Sequence, residues 1–217
     1  MFSLLIFILA SLSFLFVAYI AIKNDSSYKV NQFFSLAFIF AFFYFIFMGL
    51  YILPAFAYLN QGQLFAFLGL IFINLSIATF AIVSELIQYE RLQLNNAFFI
   101  LFFGLIGILT TYFVVVYFAD FQILIISFMA LNLALTVNSL RFVVVLYRVS
   151  KKVKDDPFFK KKINSYNIGF ILFNLLSALG WALAIFLPLG PELSPVPPGV
   201  LTLLASLLMA RSFLMKK

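Results

Sequence analysis

The chain alternates long apolar stretches with brief polar punctuation, and the stretches share one length. A helix needs about 20 predominantly apolar residues to cross a hydrocarbon core of about 30 Å. Seven segments qualify, roughly 2–22, 33–57, 64–86, 97–118, 121–147, 166–188 and 198–214. Between them lie Lys23–Gln32, Ala57–Gln63, Gln88–Asn96, Asp120, a long stretch Arg148–Ser165 and a proline-rich turn Pro188–Pro198. An open sheet cannot satisfy its backbone polar groups in lipid, so the pattern predicts an all-α polytopic membrane protein, one domain over 1–217. The first stretch has no basic leader and is longer than a signal-peptide core, so it reads as the first spanning helix.

Composition agrees, with 65% hydrophobic residues, 10% charged and 32 Phe in 217 residues. The positive residues then set orientation. Lys23 and Lys29, Arg91, and the run Arg148, Lys151, Lys152, Lys154, Lys160, Lys161 and Lys162 occupy the first, third and fifth connectors, and Arg211, Lys216 and Lys217 end the chain on that side. The other side carries only Asp120 and Glu192. Positive charge favours the cytoplasmic side, which predicts the N-terminus outside and the C-terminus cytoplasmic, in what reads as a prokaryotic plasma membrane. A net charge of +7 arranged in this way points to anionic inner-leaflet lipids rather than nucleic acid. The basic connector 148–165 is read as a headgroup contact, with protein docking as the alternative. Its Pro157 predicts a break near Asp156 between a helical extension and a helical re-entry.

The chain has no Cys and no His, which removes disulfides, thiol chemistry and imidazole ligation or catalysis. No cofactor, metal site or catalytic set is expected. No segment carries a carboxylate or Lys near its middle, which argues against energised ion transport. Glu85 and Arg141 lie at matching depths in the third and fifth segments, and they either pair in the inner half of the bundle or reach separately for headgroups. Asn74, Asn132, Asn138, Asn167 and Asn174, with Ser76, Thr79, Thr110 and Thr111, must face other helices. There they form either packing contacts or a polar pocket for a small neutral ligand, bounded by Tyr44, Tyr112 and Trp181. Small residues on the sixth segment, from Asn174 to Ala184, allow close helix packing. The Phe-rich first, second and fourth segments are expected to face lipid or a partner.

Lys29-Val30-Asn31-Gln32-Phe33 and Lys162-Ile163-Asn164-Ser165-Tyr166 open the second and sixth segments, which then reach Gly49 and Tyr51, or Gly180 and Trp181, before Leu53-Pro54 or Leu187-Pro188. This predicts a three-plus-one-plus-three parallel repeat. The stretch Ala18-Tyr19-Ile20-Ala21-Ile22 through Asn31-Gln32-Phe33-Phe34-Ser35-Leu36-Ala37-Phe38 resembles the seven-helix membrane sensor region at the N-terminus of many prokaryotic histidine kinases. That resemblance spans the first three segments. With no kinase domain in the chain, it implies a signal passed to a separate partner. Microbial rhodopsins share features near Trp181–Pro188 but carry a retinal-bearing Lys in the last helix, where this chain has Phe213 and its neighbours. Sugar transporters of the PQ-loop type share the repeat plan, yet no Pro-Gln pair occurs here. The expected function is a non-catalytic sensor-like or accessory module that acts through another protein subunit. The alternatives are a facilitative transporter of a small neutral solute and a structural subunit of a larger membrane complex.

Overall fold

The structure is a computed structural model that describes residues 2–24, 26–52, 61–92, 94–118, 140–152, 156–173 and 196–215. These residues form seven helices and no strand: α1 (Phe2–Asn24), α2 (Lys29–Ile52), α3 (Gln61–Tyr89), α4 (Asn95–Phe118), α5 (140–152), α6 (Pro157–Ile171) and α7 (Val196–Leu214). Four of them, α1 to α4, are long and apolar enough to cross a membrane, and α7 contains a shorter apolar helix, Gly199–Leu214. The repeat markers Leu53-Pro54, Gly180-Trp181 and Leu187-Pro188 lie outside the described residues, as do Asn132, Asn138, Lys154, Asn174 and Trp181.

Local chemistry sets several helix ends. The carbonyl of Tyr28 accepts from Asn31 and Gln32, so α2 begins four residues before the apolar run and takes polar Lys29–Gln32 into its first turn. Glu90 adopts a left-handed backbone (φ 56°) that stops α3. Asp156 caps α6 by accepting from the backbone N–H groups of Phe158 and Phe159 at 3.0 and 3.1 Å, and Pro157 follows at the first helical position. Asp156→Ala is expected to cost about 1 kcal/mol, read as a lower thermal midpoint in detergent.

Within lipid, apolar surface gains nothing by touching apolar protein rather than acyl chains, so helix association must come from close van der Waals packing and interhelical hydrogen bonds. Both are present. In α1 the buried positions are Phe7, Ala10, Phe14, Val17 and Ala21; in α2 they are Phe34, Ala37, Phe38, Ala41, Phe45 and Met48. Steps of three and four line up rings and alanines along one seam, where Phe7 and Phe14 of α1 meet Phe38 and Phe45 of α2. Rings from other helices complete the core. Phe80 of α3 lies 4.7 Å from Phe170 of α6 and 5.5 Å from Phe38. Phe142 of α5 lies 4.6 Å from Phe170, and Phe34 lies 5.0 Å from Tyr166. Most meet edge to face, the geometry that brings a positive ring edge to a negative ring face.

The Phe-rich helices therefore divide. The rings of Phe7, Phe14, Phe34, Phe38 and Phe45 turn inward, while Leu5, Leu9, Leu12 and Phe16 of α1 and Leu36 and Phe43 of α2 are exposed, so each helix has one face in the core and one outside it. Only α4 keeps its row out: Phe98, Phe99, Phe102, Phe103 and Phe113 are exposed, while Ala97, Ile100, Gly104, Ile108 and Thr111 face α3. Composition could not separate the cases, because nearly every residue on both faces of α1 and α2 is apolar.

Helix contacts also gather the positive residues. The side chain of Asn24, ending α1, donates to the Phe213 carbonyl near the end of α7 at 2.8 Å. Ser150 donates to Asn164 at 2.9 Å, joining the end of α5 to the start of α6, and Phe34 near the start of α2 touches Tyr166 and Phe213. Lys23, Lys29, Arg148, Lys151, Lys152, Lys160, Lys161, Lys162 and Arg211 thus surround one end of the bundle. Exposed Tyr19, Tyr28, Tyr89 and Tyr147 share it, with the Lys23 and Lys151 ammonium groups 5.6 and 4.6 Å from the ring centres of Tyr19 and Tyr147. Such aromatic and basic belts form where helices leave the hydrocarbon for headgroups.

Candidate functional site

A buried charge lies just inside that belt. Glu85, one turn before the end of α3, is 1% exposed, and its Oε1 accepts from Arg141 of α5 and Asn96 of α4. One carboxylate oxygen thereby joins three helices. An ionised carboxylate is costly to bury alone, and a guanidinium together with an amide N–H supplies what water would have supplied. Arg141 differs from its partner, with its side chain 42% exposed. It neutralises Glu85 on one side and faces the surroundings on the other. Of the two readings open from sequence, pairing is the arrangement found.

Among the described residues the amides and hydroxyls make separate contacts. Asn74, on α3, donates to the Leu101 carbonyl of α4 at 3.2 Å, and its Oδ1 has no partner among the described residues. Gly104 is the notch that admits it, for a Cβ there would overlap the Asn74 amide. Gly104→Ala is expected to force α3 and α4 apart or expel the amide, at about 1–3 kcal/mol, with partial recovery in Asn74→Ala/Gly104→Ala. A thermal-unfolding cycle over the four proteins measures that coupling.

Thr111 is buried and donates to the carbonyl of Gly107, whereas Thr110 is exposed and donates to Ile106. Successive helix positions lie about 100° apart, so the two threonines do not share a face. Thr111 is also two turns, about 10 Å, beyond the Asn74 notch. Tyr44 is buried against Phe45, while Tyr112 is exposed beside Phe67, so these two do not bound one pocket. Asn167 has a buried Oδ1 without a partner among the described residues.

Arg148, Lys151 and Lys152 end the described part of α5, and Lys160, Lys161 and Lys162 lie in the first two turns of α6. Positive charge there opposes the helix dipole, and the first turn holds no acidic residue. Helix stability therefore does not explain that placement.

Several joining residues gave no signal in sequence. Asn96 reads as part of a connector and instead sits in the first turn of α4 on Glu85. Ser13 and Ser206 join α1 to α7 at 2.7 Å, whereas Ser76, which the sequence does place against another helix, donates to the Ala37 carbonyl at 2.9 Å and joins α3 to α2. The available signal was a lone hydroxyl in an otherwise apolar helix, which must find an acceptor. No group of three or more acidic residues that could hold a metal occurs among the described residues. Comparison with protein-family models, with curated proteins and with solved structures yields no match to this chain.

Proposed function

We propose that the protein is a non-catalytic integral membrane module, sensor-like or accessory, that acts through a membrane or cytoplasmic partner. In this reading seven helices cross a prokaryotic plasma membrane, with the N-terminus outside and the basic end of the bundle at the cytoplasmic, anionic leaflet. The observation that carries it is the contrast between a ring-filled centre and an outward aromatic row. Phe14, Phe38, Phe80, Phe142 and Phe170 share one buried cluster between the described helices, where a solute path would need polar lining. Meanwhile α4 turns Phe98, Phe99, Phe102 and Phe103 away from its own bundle. A structural subunit of a larger complex would share both features. Facilitative transport of a small neutral solute is supported by the buried Oδ1 atoms of Asn74 and Asn167, which have no partner among the described residues.

Native mass measurement after purification in a mild detergent, with solute uptake in liposomes, tests the reading. A stoichiometric partner that is lost on Phe99→Ser/Phe102→Ser, with no uptake, is the expected result. A lone chain whose solute uptake is abolished by Asn74→Leu would overturn it in favour of transport.

A further inference from the structure

We propose that Arg141, held by Glu85, is the anchor of a specific binding site for the phosphate of one anionic phospholipid on the outer face of α5. The inference deepens the membrane reading above and rests on it.

Three features of α5 carry the proposal. Arg141 gives one nitrogen to Glu85, while its side chain remains 42% exposed. A guanidinium has five N–H donors, and among the described residues Glu85 is the partner found for it. The exposed positions then continue at helical spacing: Arg141, Val144, Tyr147, Arg148 and Lys151. With a rise of 1.5 Å per residue, Arg141 and Arg148 are separated by about 10 Å along the helix. That exceeds the headgroup layer on one side of a bilayer, about 5–8 Å, by a few ångström, a gap that long basic side chains close by bending toward it from either edge. Val144 lies between the two arginines as an apolar contact for the start of an acyl chain. Tyr147 sits at the belt with the Lys151 ammonium 4.6 Å from its ring centre.

Charge and preorganisation select the occupant. The strip holds three cations, Arg141, Arg148 and Lys151, and the one carboxylate it meets is Glu85 behind Arg141, so a net positive charge remains that is complementary to an anionic headgroup rather than a zwitterionic one. Arginine meets phosphate oxygens through paired N–H donors, which a lysine cannot reproduce. The lysines at the start of α6 are exposed or partly so and belong to no comparable ion pair among the described residues, which suits diffuse attraction. Arg141 is different because Glu85, itself fixed by Asn96, restrains its guanidinium before the lipid arrives. The expected consequence is one saturable site, with the bound lipid bracing α3, α4 and α5 together.

The test is native mass spectrometry of the full chain, delipidated in detergent and titrated with phosphatidylglycerol or phosphatidylcholine. The wild type should retain one phosphatidylglycerol about tenfold more tightly than phosphatidylcholine. Glu85→Gln/Arg141→Gln replaces the ion pair by two neutral amides, which keeps the fold while removing the anchor, and should abolish the preference. Arg148→Gln, on an exposed side chain, should weaken it several-fold. Lys160→Gln/Lys161→Gln/Lys162→Gln should leave it within about twofold. A preference that survives the double substitution, or that falls equally in the triple lysine variant, would overturn the site. Equal binding of both lipids by the wild type would overturn the site and leave the membrane reading standing. A wild type that binds neither lipid and stays monodisperse without detergent would overturn both.

Discussion

Arg141→Ala is expected to destabilise the protein by about 3–5 kcal/mol, because it leaves the Glu85 carboxylate buried without the guanidinium that pairs with it. The reverse substitution should be milder. Glu85→Gln keeps an acceptor oxygen for Asn96 and Arg141, and the freed guanidinium is already exposed enough to turn toward headgroups or water, so a cost of about 1 kcal/mol is expected. The asymmetry follows from burial rather than from the bond, since the same ion pair is lost in both. Glu85→Gln/Arg141→Gln should recover most of what Arg141→Ala loses, as expected when a buried charge rather than a missing contact causes the damage. Thermal or denaturant unfolding in one detergent gives all three values. Equal losses from the two single substitutions would show that Glu85 is not isolated from solvent.

Gly169→Leu should abolish the native packing of α6 on α7. A Cβ at Gly169 would come within 2.8 Å of both the Ala205 carbonyl oxygen and Met209 Cγ, and within 3.2 Å of the Met209 backbone nitrogen. Met209 can move its side chain, but a backbone carbonyl can yield only if the helix moves. Gly169→Ala is therefore expected to cost about 1–3 kcal/mol, with a larger loss for leucine. The nearby core makes retreat expensive, since displacing α6 also pulls Phe170 from Phe80 and Phe142. Gly49 is the control. Its added Cβ would meet Phe7 at 3.4 Å, an ordinary contact, so Gly49→Ala should lie within about 0.5 kcal/mol of the wild type. Trypsin resistance and thermal midpoint rank the three.

The all-helical class was readable because segment length is a property of composition, and the ion pair was readable because Glu85 and Arg141 are rare charges inside long apolar runs. Hydrophobic periodicity failed elsewhere for a definite reason. A helix in water marks its buried face by contrast with polar residues, whereas α1 and α2 are apolar on all faces. What marks their seam is size, Phe and Ala at steps of three and four, and the choice between two Phe-bearing faces depends on the neighbouring helices. Gly169 shows the same limit. Its role comes from Ala205 and Met209, which lie more than thirty positions along the chain. Asn96 was missed because a polar residue near Arg91 looks like connector until Glu85 is seen within reach. Asn132, Asn174 and Trp181, read as pocket residues, fall outside the described residues.

The basic end of the bundle and the cytoplasmic placement we propose for it join the fold to the proposed function, and the chain is well suited to a direct test because it contains no cysteine. Single cysteines at Ser27 and Lys152, on the basic end, and at Gln63, at the start of α3, can be treated with a membrane-impermeant maleimide in intact cells and again after permeabilisation. Labelling of Gln63→Cys in intact cells, with Ser27→Cys and Lys152→Cys labelled only after permeabilisation, is the predicted result. Labelling of Ser27→Cys or Lys152→Cys from outside, or equal labelling of all three in intact cells, would contradict it.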